Sequence, residues 1–182
     1  MHKAIGMIEF KTVSAGITAA DQMVKTSEVE VLEAQVVCPG KYIALIAGDL
    51  SAVKAAVETG IATRSEEYID SFVLGNPDES IFAAIYGSAD IEGVDALGVL
   101  ETYDAASIIV AADVAAKTAA VQLIELRIAK GMCGKSYMLL TGEVAAVTAA
   151  IEKAKVTVGD KGMFLDSSVI ASPDPKLKKS IV

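Results

Sequence analysis

Few side chains in this 182-residue chain could do chemistry of their own, and those few are spaced unusually. Cys38 precedes Pro39 and Gly40 in "VVCPGKYIAL", and Cys133 precedes Gly134 in "AKGMCGKSY". A thiolate can be a nucleophile, a redox group or a soft-metal ligand, whereas a free cysteine is otherwise a small and usually buried hydrophobe. Neither cysteine has a second within the C-x-x-C spacing that cluster-binding and redox motifs use, so spacing alone favours a structural thiol and leaves a ligand open. His2 is the only histidine and sits at an end expected to fray, which leaves no material for a Ser-His-Asp triad or an imidazole zinc site. The Gly-Lys pairs at Gly40 and Gly134 fail the phosphate-loop pattern, since "VCPGKY" lacks the first glycine and the hydroxyl and "GMCGKS" is too short between glycines. With no nucleophile-base pair and no ligand cluster in one chain, an enzyme is disfavoured.

Composition narrows the partners. The formal net charge is −8, the sequence pI is near 4.7, and no block of lysine or arginine occurs, which argues against nucleic acid or an anionic membrane surface. The apolar stretch "ASIIVAADVAAKTAAVQLIEL" is broken by Asp113 and Lys117, and "MHKAIGMIEF" lacks an apolar core behind basic residues, so neither a membrane span nor a secretory signal is expected. A cytosolic setting would keep both thiols reduced or give them to a metal. Mean hydropathy is +0.48 with no tryptophan, and the surplus is Ala, Val, Ile and Leu, a composition that suits extensive subunit contacts.

The elements that must position these residues come in two copies. "AIGMIEFKTVSAGITAADQMVKTSEVEVLEAQVV" from Ala4 aligns without a gap with "ALGVLETYDAASIIVAADVAAKTAAVQLIELRIA" from Ala96, matching Glu9 to Glu101, Asp21 to Asp113 and Lys25 to Lys117. After a two-residue insertion "GKYIALIAGDLSAVKAAVE" pairs with "GKSYMLLTGEVAAVTAAIE", and later "DSFVLGNPD" pairs with "DSSVIASPD". A repeat of roughly 90 residues is the size of a small domain. The Gly, Ser and Asp cluster in "YGSADIEGVD" places the boundary between domains spanning 3–90 and 95–182. Glu9 and Glu101 are then one position in two copies, which favours structural polar contacts over paired acid-base work.

Each copy reads as strand, helix, strand, turn, strand, helix, strand and a short terminal helix or tail. "AIGMIEF" alternates, and "AGITAADQMVKTS" puts Ile17, Ala20 and Val24 at helical spacing. "VEVLEAQVV" alternates Val29, Val31, Glu33 and Gln35 against Glu30, Leu32, Ala34 and Val36, and Pro39-Gly40 closes a hairpin with "KYIALIAG". Asp49 or Ser51 can cap the next helix, Val53, Ala56, Val57 and Gly60 share one side, and Gly60 is a plausible stop. This is a βαββαβ, ferredoxin-like order with an antiparallel sheet under helices, an α+β fold class.

The segments "AIGMIE", "AADQMVK", "GK" and "AGDLSAVKAAVETG", repeated as "ALGVLE", "AADVAAK", "GK" and "TGEVAAVTAAIE", resemble the bacterial microcompartment shell domain, twice and without circular permutation. The resemblance implies a homotrimer whose six shell domains surround a pore as a pseudohexamer, tiling laterally with hexameric shell proteins around enclosed enzymes. The "CPGK" turn is similar to that of iron-sulfur shell proteins of the family, in which this turn lines the pore and its cysteine holds a cluster on the three-fold axis. Carried over by position, the ligand is Cys38, one from each of three subunits, on a shared 4Fe-4S cluster that carries electrons or is delivered across the shell. Symmetry would then replace the missing C-x-x-C motif, with a redox enzyme as a further partner. Pro39 and Gly40 would shape a rigid turn around that sulfur. Cys133 and Gly134 occupy the matching turn, and no ligand role is implied for Cys133. Lys25 and Lys117, each four residues after an aspartate, match the lysine at the edge where shell tiles meet. Asp78 and Asp174 stand where many shell domains carry arginine or histidine, a departure in the edge pattern. The remaining alternative is a plain metabolite pore lined by Cys38.

Overall fold

The computed structural model describes residues 3–91 and 93–181; His2 lies outside them. The element order is β1 (Ala4–Phe10), α1 (Val13–Thr26), β2 (Val29–Val37), β3 (Lys41–Gly48), α2 (Leu50–Thr63), β4 (Tyr68–Gly75), α3 (Ser80–Ile85), β5 (Ala96–Thr102), α4 (Ala105–Thr118), β6 (Val121–Arg127), β7 (Ser136–Gly142), α5 (Val144–Gly159), β8 (Phe164–Ile170) and α6 (Pro175–Ile181). Two four-stranded antiparallel sheets result, ordered β2-β3-β1-β4 and β6-β7-β5-β8, which is the ferredoxin-like arrangement expected of each repeat. Among the described residues no helix is long and apolar enough to cross a membrane.

In the first unit α1 and α2 lie against one face of the sheet, and the core gathers Ile8, Phe10, Ala19, Met23, Ile46, Val53 and Val57. Thr12 starts α1 by accepting the Ala15 N–H, and Asp104 starts α4 by accepting the Ser107 N–H at 2.9 Å. Asp49 occupies the cap position of α2, but its carboxylate forms an ion pair with Lys3 at 3.0 Å instead of capping.

Several local expectations give way to packing. Gly60 does not stop α2, which continues to Thr63; a Cβ there would come within 2.9 Å of Met23 Sδ, so the glycine serves a close approach of α2 to α1. The buried side of α1 is Ala15, Gly16, Ala19 and Met23, so Ile17 and Val24 face outward. Alternation in β2 breaks at a bulge between Val31 and Glu33, repeated in β6 between Leu123 and Glu125, which inserts one residue and reverses the faces beyond it. Every residue of β1 is buried: it is a central strand with both edges paired, and Ile5 and Met7 give its second face apolar side chains as well.

The chain divides into units Met1–Pro77 and Asp78–Val182, ahead of the glycine-rich stretch from Tyr86 to Asp95. The reason is α3, which packs on β6 and α4 with Ile81 and Ala84 fully buried.

Candidate functional site

The turn between β2 and β3 is tight. Cys38, Pro39 and Gly40 form it, the Gly40 N–H donates to the Val37 carbonyl at 2.9 Å, and Gly40 has φ of +100°. That backbone conformation is one glycine adopts without a Cβ penalty, and a Cβ placed there would meet nothing within 4 Å. Cys38 is half-buried while Pro39 and Gly40 are exposed, so the sulfur stands at the edge of an open loop tip.

The matching turn of the second repeat is wider and built differently. It takes left-handed backbone at Ala129 (φ +50°), Gly131 (+71°), Cys133 (+55°) and Gly134 (+89°), and the buried Ser136 hydroxyl accepts the Ala129 N–H at 3.0 Å. Cys133 is exposed and Gly134 buried. Two non-glycine residues with positive φ cost on the order of 1 kcal/mol each, which the anchoring by Ser136 and the Lys135 to Met132 turn bond offsets. The two turns therefore present their cysteines on unlike backbones.

Among the described residues no three His, Cys, Asp or Glu side chains come together as a metal site within one chain. The donor set that one copy offers at the Cys38 turn is a single thiolate, so a cluster fits there only where several copies meet.

The paired lysines are ion-paired in both repeats but not equally covered. Lys25 reaches Asp21 at 2.7 Å on the surface, and Lys117 reaches Asp113 at 2.7 Å. Asp113 is buried and also accepts the Asp78 N–H at 2.8 Å, a bond with no sequence signal beyond the repeat of Asp78 as Asp174. Asp78 Oδ1 in turn accepts the Ser80 N–H at 3.0 Å and the Ser80 hydroxyl, holding the start of α3.

Two further polar groupings lie on the strands: one holds Glu9, read from the repeat as a structural polar contact, and the other, on β6 and β7, has no signal in residue type or spacing. Glu9 is buried on β1, and the Lys41 ammonium 2.5 Å from its Oε1 makes the ion pair that partners the carboxylate. On β6 and β7, Arg127 Nε and Nη2 donate to Glu125 Oε1 at 3.0 and 2.6 Å, and the Tyr137 hydroxyl donates to Glu125 Oε2 at 2.8 Å. Arg127 and Tyr137 are cross-strand partners, and the guanidinium lies 5.7 Å from the ring centroid. Burial first, then the bond to Glu125, pushes the Tyr137 hydroxyl's pKa up; the Glu125 bond does the same for Arg127. The bulge at Ile124 aligns these three, and only an expected bulge would have revealed them.

Comparison with known proteins places the chain. The BMC domain model matches residues 4–77 and again 96–173. The bacterial microcompartment shell protein PduT of Citrobacter freundii is 35% identical over 182 residues, covering 100% of this chain and 99% of that protein. The carboxysome assembly protein CcmO of Synechococcus elongatus is 28% identical over 98% of this chain and 68% of its own length. A crystal structure of a microcompartment protein from Desulfitobacterium hafniense superposes with a TM-score of 0.93 at 42% identity, covering 98% of this chain and 99% of that one.

Proposed function

The chain belongs to the BMC-domain family of bacterial microcompartment shell proteins, and on that premise we propose that it is a wall tile completed by three copies, holding an iron-sulfur cluster through Cys38 of each. As a shell protein it is a structural component of a compartment wall in the bacterial cytoplasm, working beside other shell proteins rather than turning over a substrate. Tandem shell domains supply two of six positions around a pore, so three chains close the ring.

The observation that carries the cluster reading is the Cys38 turn: a thiol at the edge of an exposed, tight tip, with open space beside Gly40. Pro39 holds one side of the turn and leaves no N–H there to satisfy, and Gly40 supplies the left-handed step that returns the chain to β3. Cys38 would give one thiolate per copy, and three copies would leave a fourth iron to a ligand from outside the chain. A 4Fe-4S cluster held there by Cys38 of each copy would supply a one-electron centre, suited to electron transfer with a redox enzyme or to passage of the cluster across the wall. Lys25 and Lys117 support lateral contact with neighbouring tiles, each held in place by its aspartate.

A plain metabolite pore is the second reading, favoured by the single thiolate that each chain offers at the Cys38 turn and by the half-burial of Cys38. Anaerobic purification and reconstitution separate the two. The expected result is a brown protein with iron and sulfide in fixed proportion to trimer, which Cys38→Ser abolishes without changing particle mass and Cys133→Ser leaves intact. A colourless trimer after reconstitution would leave the plain pore; loss of iron on Cys133→Ser alone would move the site to the second turn.

A further inference from the structure

The two repeats present the same surface in opposite states. In the second unit Asp78 and α3 lie on α4 and β6, and Ile109, Leu123, Leu126 and Ile128 of that surface are no more than 2% exposed. In the first unit the matching surface of α1 and β2 is bare: Ile17, Val24, Val31 and Val36 are 53%, 40%, 42% and 55% exposed. Ile17 is the counterpart of Ile109, Val31 of Leu123 and Val36 of Ile128. Asp21, the counterpart of buried Asp113, bonds to Lys25 and Gln22 of its own helix at the surface. A grouped set of large apolar side chains on one exposed helix-strand surface marks an interaction site.

The segment that covers this surface in the second unit also exists in two copies. "NPDESIFAAI" leads into α3, and "SPDPKLKKSI" forms α6, with Asp174 for Asp78 and Leu177 for Ile81. Both aspartates fold the chain in the same way, Asp78 accepting the Ser80 N–H at 3.0 Å and Asp174 the Lys176 N–H at 2.8 Å. Yet Ile81 is fully buried, while α6 buries no residue fully and Leu177 is 42% exposed. Charge matches as well: α6 brings Lys176, Lys178 and Lys179 toward a surface that carries Asp21, Glu28 and Glu30.

We propose that the α1–β2 surface of the first unit is the seat for residues 174–180 of a second copy of this chain, with Leu177 entering the apolar face of Ile17, Val31 and Val36 and the Asp174 N–H meeting the Asp21 carboxylate, while Ile181 stays on the Val94, Leu97 and Ile124 cluster of its own chain. Each chain has one seat and one tail, so the contact is head-to-tail and closes a ring where the rotation allows. The inference rests on the reading of the protein as a ring-forming tile and names the surfaces that close the ring.

Leu177 and Ile17 are both exposed in the single chain, so Leu177→Glu and Ile17→Glu should leave its thermal unfolding unchanged. Sedimentation equilibrium should show each raising the dissociation constant of the assembly by about tenfold or more, as loss of a central interface anchor does. A photo-crosslinking residue at position 177 should join to residues 13–37 of another copy. Unchanged dissociation constants, or crosslinks confined to its own chain or to other segments, would overturn the contact while the ring stood. A wild-type protein that stays a single chain at every concentration would overturn the ring reading first, and the contact with it.

Discussion

The ring of Tyr42 fills the space that a side chain on Gly16 would need: a Cβ there would lie 2.4 Å from Cδ1 and 2.5 Å from both Cβ and Cγ of the tyrosine. The repeat makes the same join with the bulk reversed, since Ile108 stands for Gly16 and Ser136 for Tyr42, and the two larger side chains and the serine are all buried. One helix-strand approach is thus solved twice by complementary volumes.

Gly16→Ala therefore tests packing against propensity. Alanine would gain about 1 kcal/mol of helix propensity in open space. Here the clash involves atoms next to the Tyr42 backbone that cannot swing aside, so a net loss of about 1–3 kcal/mol is expected in urea unfolding. Combining Gly16→Ile with Tyr42→Ser should recover much of what either costs alone, a coupling of about 1–3 kcal/mol in a double-mutant cycle. Additive losses would show that the two positions do not share one space.

Lys41 and Glu9 give a second contrast between repeats. Glu9 is buried and its charge rests on Lys41 2.5 Å away, whereas Glu101, its counterpart, is only half-buried. Lys41→Met should cost about 3 kcal/mol because it strands a buried carboxylate. Lys135→Met, the matching change, should stay within about 0.5 kcal/mol. Equal effects of the two in denaturant unfolding would place the weight of the pair elsewhere.

Tyr137 sets an alkaline limit. Its pKa is raised in the folded chain, so the folded state keeps the phenol proton at pH values where the unfolded state releases it. The resulting stabilisation is complete below the ordinary value of 10.0 and is lost as pH climbs through the higher folded value. Denaturation midpoints should fall above about pH 10, less steeply in Tyr137→Phe. In an absorbance titration of the 5 tyrosines, a phenolate that appears above the ordinary value of 10.0 should vanish with that substitution.

The duplication made the architecture legible, because each repeat carries its own alternation, turn glycines and helical spacing, and the two readings check one another. Details set by tertiary contact were not. Gly60 reads as a helix stop until Met23 is seen against it, and Ile17 with Val24 reads as a core stripe until Gly16 and Ala19 are found inward. Bulges at Leu32 and Ile124 leave no mark in composition. The Cys38 turn was legible as a turn, but a site whose ligands come from several copies has no motif in one of them.

The placement of α3 yields the most direct check on where the units divide. Glycine-rich sequence after Tyr86 suggests that Ile81 closes the first domain, yet Ile81 is buried where α3 meets β6 and α4 of the second. Ile81→Ala should cost about 2–4 kcal/mol in a dilute, dissociated sample, the usual range for truncating a fully buried isoleucine. Leu177→Ala at the matching position should cost about 1 kcal/mol or less there, since its side chain is 42% exposed where that of Ile81 is fully buried. Raising the protein concentration should widen the cost of Leu177→Ala and not that of Ile81→Ala, because association adds stability only to the contact that a second copy makes. If Ile81→Ala proved as mild as Leu177→Ala in the dilute sample, α3 would not be held on β6, and the division at Pro77 would have to move toward Tyr86.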